Sequence, residues 1–171
     1  MYKKISVVVP CFNASKFIES TLDSIFIQKY PSLEVIVVDG GSTDNTLEIL
    51  KKYDENIDVL ISEKDNGQYH AISKGFSIST GEIMCWINAD DIYMPWAFKL
   101  VNNFFLDNKD FSWISGSSLL VDEIGMPMYT SKNISAKSSK DIKKGLFRKN
   151  FYGYLQQEGM FWKRDLYIES G

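Results

Sequence analysis

In the segment Leu33-Glu34-Val35-Ile36-Val37-Val38-Asp39-Gly40-Gly41-Ser42-Thr43-Asp44, an apolar run is followed at once by small and polar residues. An apolar run without alternation is typical of a parallel strand that is covered on both faces. Gly, Ser, Thr and Asp favour a tight turn and the capped start of a helix. The segment therefore predicts a buried strand at Leu33–Asp39, then a loop and a helix.

The neighbouring segments repeat this alternation of short β-branched runs and helix-length stretches. The further predicted strands are Ile5–Pro10, Ile57–Ser62 and Glu82–Asn88. The predicted helices are Ser15–Lys29, Thr43–Tyr53, Gln68–Ser79 and a helix after Pro95 whose Ala97, Leu100, Val101 and Phe104 share a face. This order predicts an α/β fold, in which a mostly parallel central sheet has helices on both faces.

From Phe111 onward the pattern changes. We expect a strand at Trp113–Val121, a turn that contains Gly125, and a surface loop or short helix at Ser131–Lys144. A chain of 171 residues has material for one well-packed domain, 1–171. Within it, 1–110 is the predicted ligand-binding half, and 111–171 is the predicted start of a second half that we expect to be truncated.

Composition excludes some functions. The chain has 19 Lys and Arg against 22 Asp and Glu, a net charge of -3, and no block of like charges, which argues against a nucleic-acid partner. The apolar runs are far shorter than the ~20 residues of a transmembrane helix, although peripheral contact with a membrane stays open. The start lacks the pattern of a secretory signal, and we therefore expect a cytoplasmic location.

Polar residues follow each predicted strand. Because parallel strands joined by right-handed crossovers all point the same way, these residues collect at one edge of the sheet. The four groups are Pro10-Cys11-Phe12-Asn13, Asp39 to Asp44, Glu63-Lys64-Asp65-Asn66-Gly67 and Asn88-Ala89-Asp90-Asp91. Three acidic clusters are thus expected to converge on one crevice, where their repulsion favours a bound cation.

Hard divalent cations such as Mg²⁺ or Mn²⁺ are held by one or two carboxylates and complete their shell with water and phosphate oxygens. Asp90 fits that role, and the implied ligand is a diphosphate. Structural interpretations stay open. The segment 39–44 is equally consistent with a turn and a capped helix, and 65–67 by itself is better explained as a turn. The segment 88–91 favours function, because three polar groups in four positions end the apolar run 83–87.

The motifs Ser6-Val7-Val8-Val9-Pro10-Cys11-Phe12-Asn13, Val37 to Asp44 and Trp86-Ile87-Asn88-Ala89-Asp90-Asp91 together resemble family 2 glycosyltransferases in order and spacing. The resemblance covers roughly Ile5 to Gly171. It implies a GT-A fold and inverting transfer of a sugar from a nucleoside diphosphate-sugar to a carbohydrate or lipid-linked acceptor. It also implies that Mn²⁺ or Mg²⁺ is the cofactor. Assembly of an envelope polysaccharide is expected by analogy.

The resemblance also assigns roles to residues. Pro10, Phe12 and Asn13 would line the nucleoside pocket, Asp39 would contact the base or ribose, and Asp65 would lie near the nucleotide. Asp90 would bind the metal. Asn88 stands where the family usually begins its Asp-x-Asp motif, which exchanges a charge for an amide, and Gly40 stands where many members have a second Asp.

Near the end of the chain, Gln156 to Arg164 is similar to a family strand that carries groups for the acceptor and the diphosphate. Gln157 and Glu158 are candidates there, and Glu158 is the candidate catalytic base. The last residues, Leu166 to Gly171, resemble the helix that precedes a Gly-rich turn and an acidic motif that supplies the usual base. A nucleotide-sugar-binding module without transfer activity is therefore the alternative. A nucleotidyltransferase-like or dinucleotide-binding enzyme is a third, which the lack of Gly-x-Gly-x-x-Gly disfavours.

Overall fold

The computed structural model describes residues 1–122, 126–130 and 157–170 of the chain. The strands are β1 (Ile5–Cys11), β2 (Leu33–Asp39), β3 (Val59–Ser62), β4 (Ile83–Trp86), β5 (Trp113–Ser115), β6 (Leu119–Val121), β7 (Pro127–Thr130) and β8 (Met160–Lys163). The helices are α1 (Ile18–Phe26), α2 (Thr46–Lys51), α3 (Gln68–Ile78), α4 (Ala97–Asp107) and α5 (Arg164–Ser170). A short 3₁₀ helix, Gln157–Gly159, precedes β8.

Six strands form one sheet in the order β3-β2-β1-β4-β8-β5. The first four are parallel to one another, and β8 is antiparallel to both of its neighbours. The chain moves outward from β1 to β3 and then returns through α3 to place β4 on the other side of β1. This reversal of direction is the point at which open α/β sheets bind their ligands. The predicted fold class is confirmed.

The central strands are buried because helices cover both faces of the sheet. All seven residues of β1 are buried, as its continuous apolar run predicts. The alternate residues Val7 and Val9 pack with the buried faces of α1, α2 and α4. Val8 packs on the opposite face with α3, where an ideal Cβ on Gly75 would lie only 2.5 Å from Val8 Cγ1. The backbone of α3 therefore lies directly on β1, which fixes where α3 begins beside the crevice.

Two local predictions were wrong. The expected strand Trp113–Val121 is interrupted at Gly116, so that β5 joins the large sheet and β6 pairs with β7 in a separate two-stranded sheet. In α4, Leu100 is 60% exposed instead of facing the core. The side chains that α4 buries are Phe98, Val101, Asn102 and Phe105. The two Phe rings bury more apolar surface than Leu100, and they set the rotation of the helix.

Some of the predicted features lie in segments that the structure does not describe. Gly125, the segment Ser131–Lys144, Gln156 and Gly171 lie outside the described residues. The division into halves at residue 110 stays a prediction, although β5 and β8 belong to the same sheet as β1 to β4. Among the helices in the described ranges, none has the length and apolar character needed to cross a bilayer.

Candidate functional site

A cavity of about 1030 Å³ lies beyond the carboxyl ends of β1, β2 and β4 and beside the start of α3. The crossover topology places it there, because the loops after the parallel strands all lie at this edge. Of the nine candidate ligand-binding and catalytic residues predicted from the sequence, six line the cavity, namely Pro10, Phe12, Asn13, Asp65, Asn88 and Asp90. Asp39, Gln157 and Glu158 are not among the lining residues.

Hydrogen bonds tie the loop after β1 to the loop after β2. The amide oxygen of Asn13 accepts from the backbone N–H of Thr43 at 2.8 Å, and the Asn13 N–H donates to Ser42 Oγ at 2.7 Å. The N–H of Ala14 donates to Thr46 Oγ1 at 2.8 Å. Asn13 adopts a positive φ of 49°, a conformation that Asn tolerates better than most residues. Two walls of the cavity are therefore held in fixed register before any ligand arrives.

Asp44 adds to this connection from the second loop. Its carboxylate accepts from the Thr46 hydroxyl and from the Ser15 backbone N–H. The hydrogen bond from Thr46, followed by that from Ser15, holds the pKa of Asp44 well below its usual range. Asp44 is consequently ionised at neutral pH, and it organises the loops outside the cavity lining.

Asp39 lies beneath the cavity and is completely buried. One carboxylate oxygen accepts from the backbone N–H groups of Gly41 and Ser42, at 3.1 and 3.0 Å, and from the hydroxyl of Ser62 at 2.8 Å. The other accepts from the Ser42 hydroxyl. These donors satisfy the oxygens of a buried carboxyl group, which would be costly to bury without hydrogen bonds. Asp39 therefore shapes the Gly40-Gly41 turn, and direct contact between Asp39 and a nucleotide stays a prediction.

Asp90 differs from Asp39 because it is exposed and lines the cavity. Within the described residues, its carboxylate accepts no hydrogen bond and forms no ion pair. No three His, Cys, Asp or Glu side chains in the described ranges are grouped so as to hold a metal by themselves. Magnesium-type ions are commonly held by one or two carboxylates together with substrate phosphates. Asp90 fits a cation of that kind, whose coordination shell the phosphates of a ligand would complete.

Asn88 connects the cavity to the 3₁₀ helix. The Gln68 amide donates to Asn88 Oδ1, and Asn88 Nδ2 donates to Asp91 Oδ2 at 2.9 Å. Asn88 Nδ2 also lies 3.4 Å from Glu158 Oε1, which accepts from the Gln157 amide as well. Gln157 and Glu158 therefore lie behind Asn88, one side chain away from the cavity. The orientation of the Asn88 amide is fixed by donors and acceptors on both sides.

The carboxyl groups of Asp91 and Glu158 both accept from Asn88 Nδ2, which brings them close together. Burial and the neighbouring negative charge raise the pKa of both above their ordinary values. Such a pair holds a proton more readily than an isolated carboxylate does. Sequence reasoning did not single out Asp91 for this contact, because its partner is 67 positions away in a segment that β8 brings beside β4.

Some lining residues were missed from the sequence. Phe17 directly precedes α1, Gln68 and Ala71 belong to α3, and all three line the cavity. The sequence did carry a signal for Gln68, because Gly67 directly precedes it and glycine allows a sharp turn into a helix. In the structure Gly67 has a φ of 104° and α3 begins at Gln68. Phe17 and Ala71 carry no sequence signal of a site, since an apolar residue on a helix is most often part of the core.

Comparison with known proteins agrees with this geometry. Residues 6–152 match the profile of the family described as glycosyl transferase family 2. The chain belongs to this family. Its resemblance to family 2 glycosyltransferases in sequence motifs is therefore confirmed over most of the chain.

One relative of this glycosyl transferase family 2 chain is the putative teichuronic acid biosynthesis glycosyltransferase TuaG of Bacillus subtilis. It is 31% identical over 127 residues, which cover 72% of this chain and 50% of TuaG. The matched regions of three further curated glycosyltransferases cover 30%, 31% and 45% of their lengths. The chain thus spans about a third to a half of the curated relatives it matches.

Solved structures show the same GT-A architecture. The mannosyltransferase PcManGT from Pyrobaculum calidifontis, in complex with GDP-Man and Mn2+, has a TM-score of 0.68 and 25% identity. The match covers 100% of this chain and 47% of that one. TarS 1-349 of S. aureus, in complex with UDP-GlcNAc, has a TM-score of 0.58 and 28% identity, and the match covers 69% of this chain and 33% of that one.

Proposed function

We propose that this chain is the donor-binding part of an enzyme that transfers a sugar from a nucleoside diphosphate-sugar to an acceptor hydroxyl. The observation that carries the proposal is Asp90, a carboxylate without a protein partner in the described structure, on the wall of a cavity of about 1030 Å³. The cavity lies at the carboxyl edge of a parallel sheet, where this class of fold binds ligands. Membership of glycosyl transferase family 2 supports the choice of a sugar donor.

Asp90 would hold Mn²⁺ or Mg²⁺ together with the diphosphate oxygens of the donor. When bound, the cation would offset the negative charge that develops on the leaving diphosphate. Pro10, Phe12 and Asn13 would contact the nucleoside, and Gln68 would orient Asn88 toward the donor. The Mn2+ in the complex of PcManGT supports the choice of a divalent cation, since that protein shares this fold.

Inverting transfer is part of the proposal, and it requires a base that removes the proton of the acceptor hydroxyl. Glu158 is the candidate for this role within the described residues. Burial raises its pKa above the ordinary range, in the direction that suits a base working near neutral pH. The acceptor would then approach from the side of β8, and it would be a carbohydrate or a lipid-linked sugar. A role in assembly of an envelope polysaccharide is consistent with the name of TuaG.

Calorimetric titration tests the donor site. UDP, GDP and dTDP would each be added to the wild type, to Asp90→Ala and to the control Asp110→Ala, with and without Mn²⁺. Asp110 is also exposed, but it is remote from the cavity lining. We expect Mn²⁺-dependent binding to the wild type and the control, and at least tenfold weaker binding to Asp90→Ala, about 1.4 kcal/mol. Equal, metal-independent binding to all three proteins would reject the site.

The same titration separates binding from proton transfer when Glu158→Gln is included. We expect this variant to keep the nucleotide affinity of the wild type, because Glu158 does not line the cavity. Turnover of a nucleotide-sugar panel, measured as release of the nucleoside diphosphate, should fall at least a hundredfold, which is a typical contribution of a general base. Loss of nucleotide binding would instead assign Glu158 to holding Asn88 in place.

A further inference from the structure

The loop between β4 and α4, which carries Asp90, is attached to α1 by side-chain hydrogen bonds. The Thr21 hydroxyl donates to the backbone carbonyl of Ala89 at 2.8 Å, and the Ser24 hydroxyl accepts from the backbone N–H of Tyr93 at 3.1 Å. Both side chains belong to α1 and lie three positions apart, on one face of that helix. Asp90 therefore lies between two points at which α1 holds the backbone of the loop.

A third hydrogen bond continues this attachment to the start of α4. The amide oxygen of Gln28, which follows the end of α1, accepts from the backbone N–H of Phe98 at 2.9 Å. That N–H lies in the first turn of α4, where backbone donors have no partner within the helix. Thr21, Ser24 and Gln28 thus fix three successive points along the loop and the helix that follows it.

The attachment at Thr21 is the most deeply buried of the three. Thr21 is 1% exposed and Ala89 is 8% exposed, so that water has little access to replace the hydroxyl as a donor. A buried carbonyl that loses its donor is left unsatisfied, which disfavours the arrangement that holds it. The Ser24 hydroxyl donates to the Thr21 carbonyl at 2.7 Å, and its oxygen then accepts from Tyr93. The two hydroxyl groups therefore act together between α1 and the loop.

Between these two points the backbone makes a tight turn. The Asp91 N–H donates to the Asn88 carbonyl at 3.2 Å, which closes a four-residue turn with Asp90 at its third position. The bond from Thr21 to Ala89 lies within this turn. Because the backbone is held on both sides of Asp90, the position of its carboxylate on the cavity wall is set by α1 as well as by β4.

In the proposed function, on which this inference rests, Asp90 shares a cation with the phosphates of the nucleotide. Such a cation binds well only when the carboxylate and the phosphates lie at the correct distance from each other. Groups that orient a metal ligand without touching the metal typically change metal affinity about 10–100-fold when they are removed. We propose that Thr21 and Ser24 are positioning residues that hold the Asp90 turn in place for the cation.

The experiment measures how much Mn²⁺ is needed for nucleotide binding. Calorimetric titration with UDP, GDP and dTDP at a series of Mn²⁺ concentrations gives the concentration at which binding is half-maximal. Thr21→Val keeps the shape of the side chain and removes the hydroxyl, whereas Thr21→Ser keeps the hydroxyl. Ser79→Ala is the control, because Ser79 is also buried and donates to a backbone carbonyl, that of Phe76 at 2.9 Å, but follows the end of α3 and does not line the cavity.

We expect Thr21→Val to raise the half-maximal Mn²⁺ concentration at least tenfold. Thr21→Ser and Ser79→Ala should stay within threefold of the wild type. A hydroxyl with only a structural role would lower the melting temperature in Thr21→Val and Ser79→Ala alike and leave the Mn²⁺ requirement unchanged. An unchanged requirement in folded Thr21→Val would overturn the positioning role and leave the proposed function standing. Nucleotide binding to the wild type that does not depend on Mn²⁺ would overturn the cation site and the positioning role with it.

Amide hydrogen exchange in the metal-free protein tests the attachment separately, and it does so even if Thr21→Val fails to fold. Ser24→Ala removes the acceptor of the Tyr93 N–H at a position that is only half-buried. We expect the Tyr93 amide to exchange at least tenfold faster in Ser24→Ala than in the wild type or Ser79→Ala, and the half-maximal Mn²⁺ concentration to rise at least threefold. An unchanged exchange rate or an unchanged Mn²⁺ requirement in Ser24→Ala would overturn the positioning role.

Discussion

Asn88 is the side chain through which the cavity contacts the 3₁₀ helix. Its amide N–H groups face the carboxyl groups of Asp91 and Glu158, and its oxygen faces the Gln68 amide. An aspartate at this position would turn acceptor oxygens toward two other carboxyl groups. The neutral amide, which donates to both carboxyl groups, is therefore the side chain that fits this acidic environment.

Asn88→Asp should lower the free energy of unfolding by about 1–3 kcal/mol, because it replaces a donor by a like charge beside two carboxyl groups. Asn88→Ala, which removes the donor without adding charge, should be less destabilising. Urea denaturation at pH 7 measures both. Adding Glu158→Gln should recover stability in Asn88→Asp, and equal stability of Asn88→Asp and the wild type would contradict this account of the network.

Other individual residues show where sequence reasoning succeeds and fails. Pro10, Phe12 and Asn13 line the cavity because they directly follow a strand, and strand ends are visible in a sequence. The hydrogen bonds of Asp39 depend on the positions of Ser42 and Ser62, which the fold brings together. The prediction for Leu100 was wrong, and this side chain is exposed. Periodicity gives the width of the apolar face of a helix, but it does not tell which large side chains turn that face toward the core.

At the scale of elements, one polar cluster joins β1, β2 and the turn before β4 at the edge opposite the cavity. Glu34 is 7% exposed, and its carboxylate accepts from Lys4 Nζ at 2.8 Å and from the Thr80 N–H at 2.7 Å. The Ser6 hydroxyl also donates to it and in turn accepts from the Gly81 N–H. Burial opposes ionisation of Glu34, but the hydrogen bonds outweigh it and lower its pKa to about 2.

This cluster predicts a pH dependence of stability. Because the folded-state pKa of about 2 is below the ordinary 4.5, ionised Glu34 stabilises the fold above about pH 4.5. That contribution, up to about 3 kcal/mol, is lost as the pH falls toward 2. Urea denaturation of the wild type and Glu34→Gln at pH 7, 5 and 3 measures it. The stability difference should be largest at pH 7 and 5 and smaller at pH 3, and a difference that does not change with pH would refute the assignment.

The elements themselves were predictable to the extent that their signals are local. Strands β1 and β2 end where their apolar runs end, at Cys11 and Asp39. Helix α2 is only Thr46–Lys51, shorter than the predicted Thr43–Tyr53, because Ser42, Thr43 and Asp44 are used in bonds to the loop after β1. The pairing of β8 between β4 and β5 is antiparallel and distant in sequence, and periodicity alone contains no information about such a partner.

At the scale of the whole molecule, the location of the cavity follows from topology more than from any single residue. Four parallel strands and the return through α3 bring four loops to one edge, and the crevice forms where the order of the strands reverses. That arrangement could be predicted from the alternation of strands and helices. The hydrogen bond from Thr21 to the Ala89 carbonyl could not, since it joins two residues that are 68 positions apart.

The central claim is that a cation binds at Asp90 together with the diphosphate of a nucleotide. Anomalous diffraction from crystals soaked with Mn²⁺ and UDP or GDP locates the cation directly. We expect one strong manganese peak about 2.0–2.3 Å from an Asp90 carboxylate oxygen and from phosphate oxygens, and no peak there when the nucleotide is left out. A nucleotide bound in the cavity without manganese at Asp90, or manganese bound at another place with the nucleotide, would contradict the claim.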